Sequence, residues 1–228
     1  MRATDGRRCY LIKWVMPDFG QIKGSEGILD QPNPIVSIGV EGGAAITLGS
    51  FPTRTFVRKA EGGGGVIIPL GKIFIALNGK YLAVSHTDEY AIKILDLESG
   101  VLARTITREY TRVKTSPEDL LGNDSVAMIR GETFRVPVPK FAPDIVNLFS
   151  HGNEIWAVTS TKAAGKGVLI DVFNWEGAYL DCFYLHLPAP PDKDIEQPDP
   201  QAIQGDFLSA IERNADDTYV IRKYRIGK

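Results

Sequence analysis

One short phrase recurs along this chain: an alternating apolar–polar run that ends in an acidic or aromatic residue and glycine. Ile35-Val36-Ser37-Ile38-Gly39-Val40-Glu41-Gly42-Gly43 is the first copy, and Ile92-Lys93-Ile94-Leu95-Asp96-Leu97-Glu98-Ser99-Gly100 is the second. Leu169-Ile170-Asp171-Val172-Phe173-Asn174-Trp175-Glu176-Gly177 follows, and Val220-Ile221-Arg222-Lys223-Tyr224-Arg225-Ile226-Gly227 is a frayed fourth. Period-2 alternation sends successive side chains to opposite faces of a strand. Glycine supplies the positive φ that a tight hairpin turn needs. A strand–turn unit that keeps returning confines the chain to a repeat architecture of small antiparallel sheets.

The clearest unit runs from Ile73 to Tyr110. A strand at 73–77, the hairpin signal Asn78-Gly79, and a strand at 81–85 come first. His86-Thr87-Asp88-Glu89 then turns the chain into a strand at 90–97, and Glu98-Ser99-Gly100 leads to a fourth at 101–107. A second unit repeats the plan at 145–149, 155–160, 168–174 and 178–186, with Ala157-Val158 standing where Ala83-Val84 stands in the first. Four short strands in under ~50 residues have the size of one propeller blade. The expected fold is therefore all-β: a single β-propeller domain over residues 1–228, with three to four blades of four antiparallel strands. Clear blades fall near 73–110 and 145–187, and partial ones at 1–60 and 201–228.

Between the clear blades lies an insertion at 111–144. Ser116-Pro117-Glu118-Asp119 is a helix-start signature and predicts one short helix to Leu121, followed by extended chain through Pro137, Pro139 and Pro143. The proline- and acid-rich stretch 188–200 reads as an exposed connector. Gly62-Gly63-Gly64-Gly65 has the composition of a phosphate loop but lacks its lysine and hydroxyl residue, and it precedes a strand rather than a helix.

Charge narrows the partners. Lys and Arg number 26 against 28 Asp and Glu, a net charge of −2 with no basic run, so no nucleic-acid partner is expected. No segment has the ~18 uninterrupted apolar residues of a membrane helix, and the Cys9–Met16 stretch is broken by Lys13 and stopped by Pro17-Asp18. The chain as written is expected in the cytoplasm. Cys182 lies in the alternating 179–187 run and is expected to be a buried free thiol.

The most suggestive polar cluster is His86 with Asp88, Glu89 and Tyr90 in one turn, and His151 occupies another turn. Histidine beside carboxylates is able to bind metal or shuttle protons. A polar β-turn also selects such residues for solvation and side-chain-to-backbone hydrogen bonds, and that reading is preferred. These five residues form the candidate ligand-binding surface, with no catalytic residue, metal or cofactor expected. Trp156 and Trp175 are expected to pack one blade against the next. No G-x-S-x-G nucleophile elbow is present.

From Thr55 onward the chain resembles the bacterial six-bladed β-propeller proteins related to the NHL-repeat group. The resemblance is carried by Asp88-Glu89-Tyr90-Ala91-Ile92-Lys93-Ile94-Leu95-Asp96, by Arg108-Glu109-Tyr110-Thr111-Arg112-Val113-Lys114 and by Val168 through Gly177, with Gly205-Asp206-Phe207-Leu208-Ser209-Ala210-Ile211-Glu212 near the end. Full-length members of that group are exported or periplasmic. Six blades need ~240–300 residues, so the resemblance implies a member shortened at its amino terminus.

Two function classes follow. The preferred one is a non-catalytic binding or protein-interaction module, with loops at one end of the blades presenting the surface. The alternative, implied by the resemblance, is a metal-dependent propeller hydrolase or lyase of the lactonase or NHL type. Its axial metal would need one inward ligand per blade, and Asn78, Ser150 and His151 are not a consistent set. The last blade lacks an outer strand, and Tyr10–Val15 is the available segment to pair with Tyr219–Ile226. With the early blades absent that segment is not expected to reach, so a homo-oligomer through open blade edges, or a β-arc with exposed apolar faces, is expected rather than a monomer.

Overall fold

The computed structural model describes residues 3–59, 65–115, 126–129, 132–186, 201–213, 216 and 218–226. It is an all-β architecture of antiparallel sheets, and the one helical element among the described residues is a 3-10 turn at Phe19–Gln21. The helix expected from Ser116 to Leu121 lies outside the described residues.

The first blade orders β1 (Ala3–Thr4), β2 (Arg8–Ile12), β4 (Pro34–Gly39) and β5 (Ile46–Ser50). The chain leaves it twice to build a side sheet in which β6 (Thr53–Lys59) lies between β3 (Glu26–Gln31) and β7 (Gly65–Pro69). The second blade is an up-and-down run of β8 (Phe74–Leu77), β9 (Tyr81–Ser85), β10 (Ala91–Asp96) and β11 (Leu102–Thr107). A hairpin of β12 (Val126–Ile129) and β13 (Glu132–Arg135) follows. The third blade repeats the run with β14 (Ile145–His151), β15 (Glu154–Ala163), β16 (Gly167–Asn174) and β17 (Tyr179–Leu185). The last sheet has three strands, β18 (Gln201–Gln204), β19 (Phe207–Arg213) and β20 (Tyr219–Arg225).

The strand positions expected for the two central blades match those observed. The 1–60 region departs from a single partial blade, because its strands are shared between two sheets. The insertion also holds a hairpin where extended chain was expected.

What makes these sheets blades is how they stack. First strands stand side by side: β1 against β8, β8 against β14, and β14 against β18. Strand alternation lets each central blade bury both faces. On β9, Leu82 and Val84 face the first blade with Ile35, Phe51 and Leu95. Ala83, one residue out of phase, faces the third blade with Ile145, Leu148, Ala157 and Trp175. In the third blade Phe149, Trp156, Val158, Ile170 and Val172 turn toward the last sheet, meeting Ile203 and Ile226. Fully burying one Ile, Leu or Phe contributes ~1.5–3 kcal/mol, so these seams dominate the stability of the stack. Trp156 and Trp175 sit in the seams, as the sequence implied.

Two expectations are corrected. Cys182 is a free thiol but an exposed one. It lies on β17, the outermost strand of its blade, where alternation in sequence meets no covering layer. His86 is buried at 8% exposure rather than set in a solvated turn, because the Phe51–Pro52 corner of the first blade closes over it. Tyr10–Val15 makes no pairing with the last sheet. β2, which includes Tyr10, already lies between β1 and β4, and β20 pairs with β19.

Gly167, at the start of β16, has φ +94, and a Cβ there would lie 2.2 Å from the Leu185 carbonyl oxygen. Gly79, φ +85, has nothing within 4 Å of the same position. Gly167→Ala should therefore cost clearly more than the ~1 kcal/mol expected of Gly79→Ala, a ranking that urea titration of the two variants checks.

Candidate functional site

The loops that follow β9 and β11 gather the charged and aromatic side chains of the second and third blades at one end. Thr87 Oγ1 donates to the Glu89 carbonyl at 2.8 Å and closes the β9–β10 turn. That turn holds the neighbouring blade: the Asp88 carbonyl accepts from Asp144 N at 3.0 Å and from Arg112 Nη2 at 2.9 Å. Arg112 Nε donates to Asp144 Oδ1 at 3.1 Å, and its guanidinium lies 5.0 Å from the centre of the Phe141 ring. Burial raises the pKa of Asp144, against the pull of Arg112. The Asp88 carboxylate meets Arg54 of β6 at 3.4 Å, at a solvent-exposed position.

Deeper in the same seam lies Asp171 of β16, with 0% exposure. Tyr90 Oη donates to its Oδ2 at 2.7 Å, and Arg108 Nη1 donates to its Oδ1. The Arg108 guanidinium is placed over the rings of both Tyr90 and Tyr179, 5.6 Å from each centroid. Burial first, then the Asp171 charge, pushes the Tyr90 hydroxyl far above its ordinary value. For Arg108 burial opposes the charge, but Asp171 and Tyr90 outweigh it and the pKa rises. Tyr110 completes the seam, its hydroxyl 2.6 Å from Thr161 Oγ1 and 3.2 Å from Ser160 Oγ.

The five candidate residues are not one site. His86, Asp88, Glu89 and Tyr90 share the β9–β10 turn, yet His86 and Tyr90 are buried, Asp88 is half-buried and Glu89 is exposed. Since Asp144 at the foot of β14 bonds to Asp88, His151 at the far end of that strand lies ~20 Å away by strand rise. There its Nδ1 is 3.8 Å from Glu154 Oε2, its Nε2 3.7 Å from Asp206 Oδ1, and its ring 4.4 Å from that of Trp156. Among the described residues no group of three or more His, Cys, Asp and Glu side chains is spaced to hold a metal.

Sequence reasoning passed over Arg108, Arg112, Asp144 and Asp171, although one signal pointed to Asp171. It shares a face with Phe173, two residues on, in an otherwise apolar run, so parity alone buries it and demands a partner. Chemically, these pairs are saturated: each carboxylate accepts from an arginine, and each arginine bridges elements of different sheets.

The arrangement also roots the insertion. Thr115 N donates to the Lys140 carbonyl at 3.2 Å and Ala142 N to the Val113 carbonyl at 2.9 Å. The two ends of the insertion therefore pair as a stem, with the β12–β13 hairpin beyond it and the Arg112–Asp144 ion pair at its foot.

No family model matches this chain, and no curated protein matches its sequence. Among solved structures it is similar to the β-propeller domain of Cps50 (Swd1) from Myceliophteria thermophila, at 10% identity, covering 85% of this chain and 67% of that one. The TM-score is 0.21, too low to carry a structural argument by itself. The blade assignment rests on strand order and seam packing. Among the described residues no helix is long and apolar enough to cross a membrane.

Proposed function

We propose that this protein is a non-catalytic binding module in which a stack of blades presents the 111–144 insertion as a recognition arm. The observation that supports this reading is the arm's root. Its ends are paired to each other, and Arg112 fixes them to both Asp144 and the Asp88 carbonyl. A connector with no role beyond joining β11 to β14 needs no stem, since most connections in compact domains run only a few residues. An arm held on a rigid support loses little conformational entropy on binding, which favours affinity. The charged side chains beneath it serve the support, each engaged with a neighbouring sheet.

Photo-crosslinking tests the reading. A photoreactive residue at Val138, a 42%-exposed position on the arm, should give a discrete crosslinked partner that persists in EDTA. The same residue at Val101, 61% exposed on the β10–β11 turn, should not. Stoichiometric bound metal, with hydrolase or lyase activity that EDTA removes, would establish the enzyme reading in its place.

A further inference from the structure

His86 sits where three parts of the fold meet. It follows β9 of the second blade, and over it lies the Phe51–Pro52 corner that joins β5 of the first blade to β6 of the side sheet. Its Nδ1 is 2.9 Å from the Pro52 carbonyl, and the Phe51 ring meets it edge-on at 5.4 Å. A carbonyl only accepts, so Nδ1 carries the proton. In the neutral ring Nε2 is then a bare lone pair, and it is buried with no hydrogen-bond partner.

Protonation would add an N–H and a positive charge at that atom, where no acceptor waits. The charge that acts on the ring comes from β10: Lys93, a cation. The Phe51–Pro52 corner contributes no charge, Glu89 is exposed, and Asp88, two residues on, is engaged with Arg54. Burial is the largest cause of a lowered pKa at His86; Lys93 lowers it too, against the Pro52 hydrogen bond. We propose that His86 is an acid-sensitive latch: neutral, it holds the Phe51–Pro52 corner and the side sheet against the second blade, and protonated, it releases them.

The sign of the pH dependence follows from linkage. An unfolded histidine titrates near ~6.5, and the folded one below that. Below ~6.5 the unfolded chain therefore holds more protons than the native one. The stabilisation is complete above that pH and is lost as pH falls through the folded value. The corner lies beside Asp88, whose carbonyl roots the arm, so acid should also loosen the arm's support. That consequence rests on the binding reading; the latch does not.

Amide hydrogen exchange at Phe51, whose N–H bonds to the Asn33 carbonyl at 3.1 Å, reads the corner directly. After correction for the intrinsic rate, protection in the native sequence should fall several-fold between pH 7.5 and 5.5, with a ceiling of about tenfold set by one group that titrates near ~6.5 once the corner opens. In His86→Asn, where the side-chain amide still donates to Pro52 but cannot titrate, the fall should be less than about twofold. An equal fall in both proteins would overturn the latch. A second measurement needs no variant: nitrogen shifts of the His86 ring should show Nε2 unprotonated at pH 7.5 and a midpoint below ~6.5. A midpoint at or above that value would overturn it as well.

Discussion

Replacing Asp171 with alanine should destabilise the protein by about 3–4 kcal/mol, where breaking a buried ion pair from one side costs ~3–5 kcal/mol. The carboxylate has no exposure, and its removal strands two donors at once. The Tyr90 hydroxyl, on a residue 4% exposed, would lose its acceptor inside the seam. Arg108 would keep its charge beside the Tyr90 and Tyr179 rings without a counter-ion. Because the Arg108 side chain is 32% exposed, it regains some water, which holds the loss to the lower part of the range. Asp171→Asn should cost less, since its amide oxygen still accepts from Tyr90. Arg108→Ala should be severe too, for it leaves an uncompensated charge at zero exposure. Chemical denaturation of the three variants checks the order, and a loss under ~1 kcal/mol for Asp171→Ala would show that the seam does not depend on this group.

Trp175→Ala should cost about 3–5 kcal/mol, as truncation of a fully buried tryptophan does. The side chain is 1% exposed and belongs to the cluster that joins the second and third blades, where its ring stacks on Tyr81 at 6.4 Å and 16°. Its indole Nε1 is buried without a partner. Trp175→Phe removes that unsatisfied donor while keeping most of the apolar volume, so its cost should stay within ~1.5 kcal/mol. A large loss for phenylalanine would mean that the indole N–H is bonded after all. The comparison separates packing from hydrogen bonding at one position.

The central blades were legible because their information is local. Gly79, Gly100, Gly152 and Gly177 adopt positive φ at the turns where alternation breaks, and the strands between them pair with their nearest neighbours in sequence. The side sheet was not legible. Glu26–Gln31 alternates weakly and pairs with Thr53–Arg58 across the β4 and β5 strands of the first blade, a long-range choice that no turn signal announces. The β12–β13 hairpin, with four residues to a strand, is too short for periodicity to separate from loop.

At the candidate site, sequence reasoning found the β9–β10 turn but misjudged its exposure. What buries His86 comes from Phe51 and Pro52, and what buries Tyr90 from Asp171 and Phe173, all distant in sequence. Local turn chemistry selects polar residues; it does not say which neighbour will cover them. His151 looked equivalent because it too stands in a turn, yet antiparallel strands put successive turns at opposite ends of a blade.

The central claim is that the blades are a self-sufficient support and the insertion is what they present. Replacing residues 116–139 with a short Gly-Ser linker tests it most directly, since the Thr115–Lys140 contact leaves the two cut ends within hydrogen-bond distance. The account predicts a melting temperature within a few degrees of the native protein, and loss of the crosslinked partner when capture is repeated from a position on the retained stem. Collapse of the fold, or partner capture undiminished by the replacement, would contradict it.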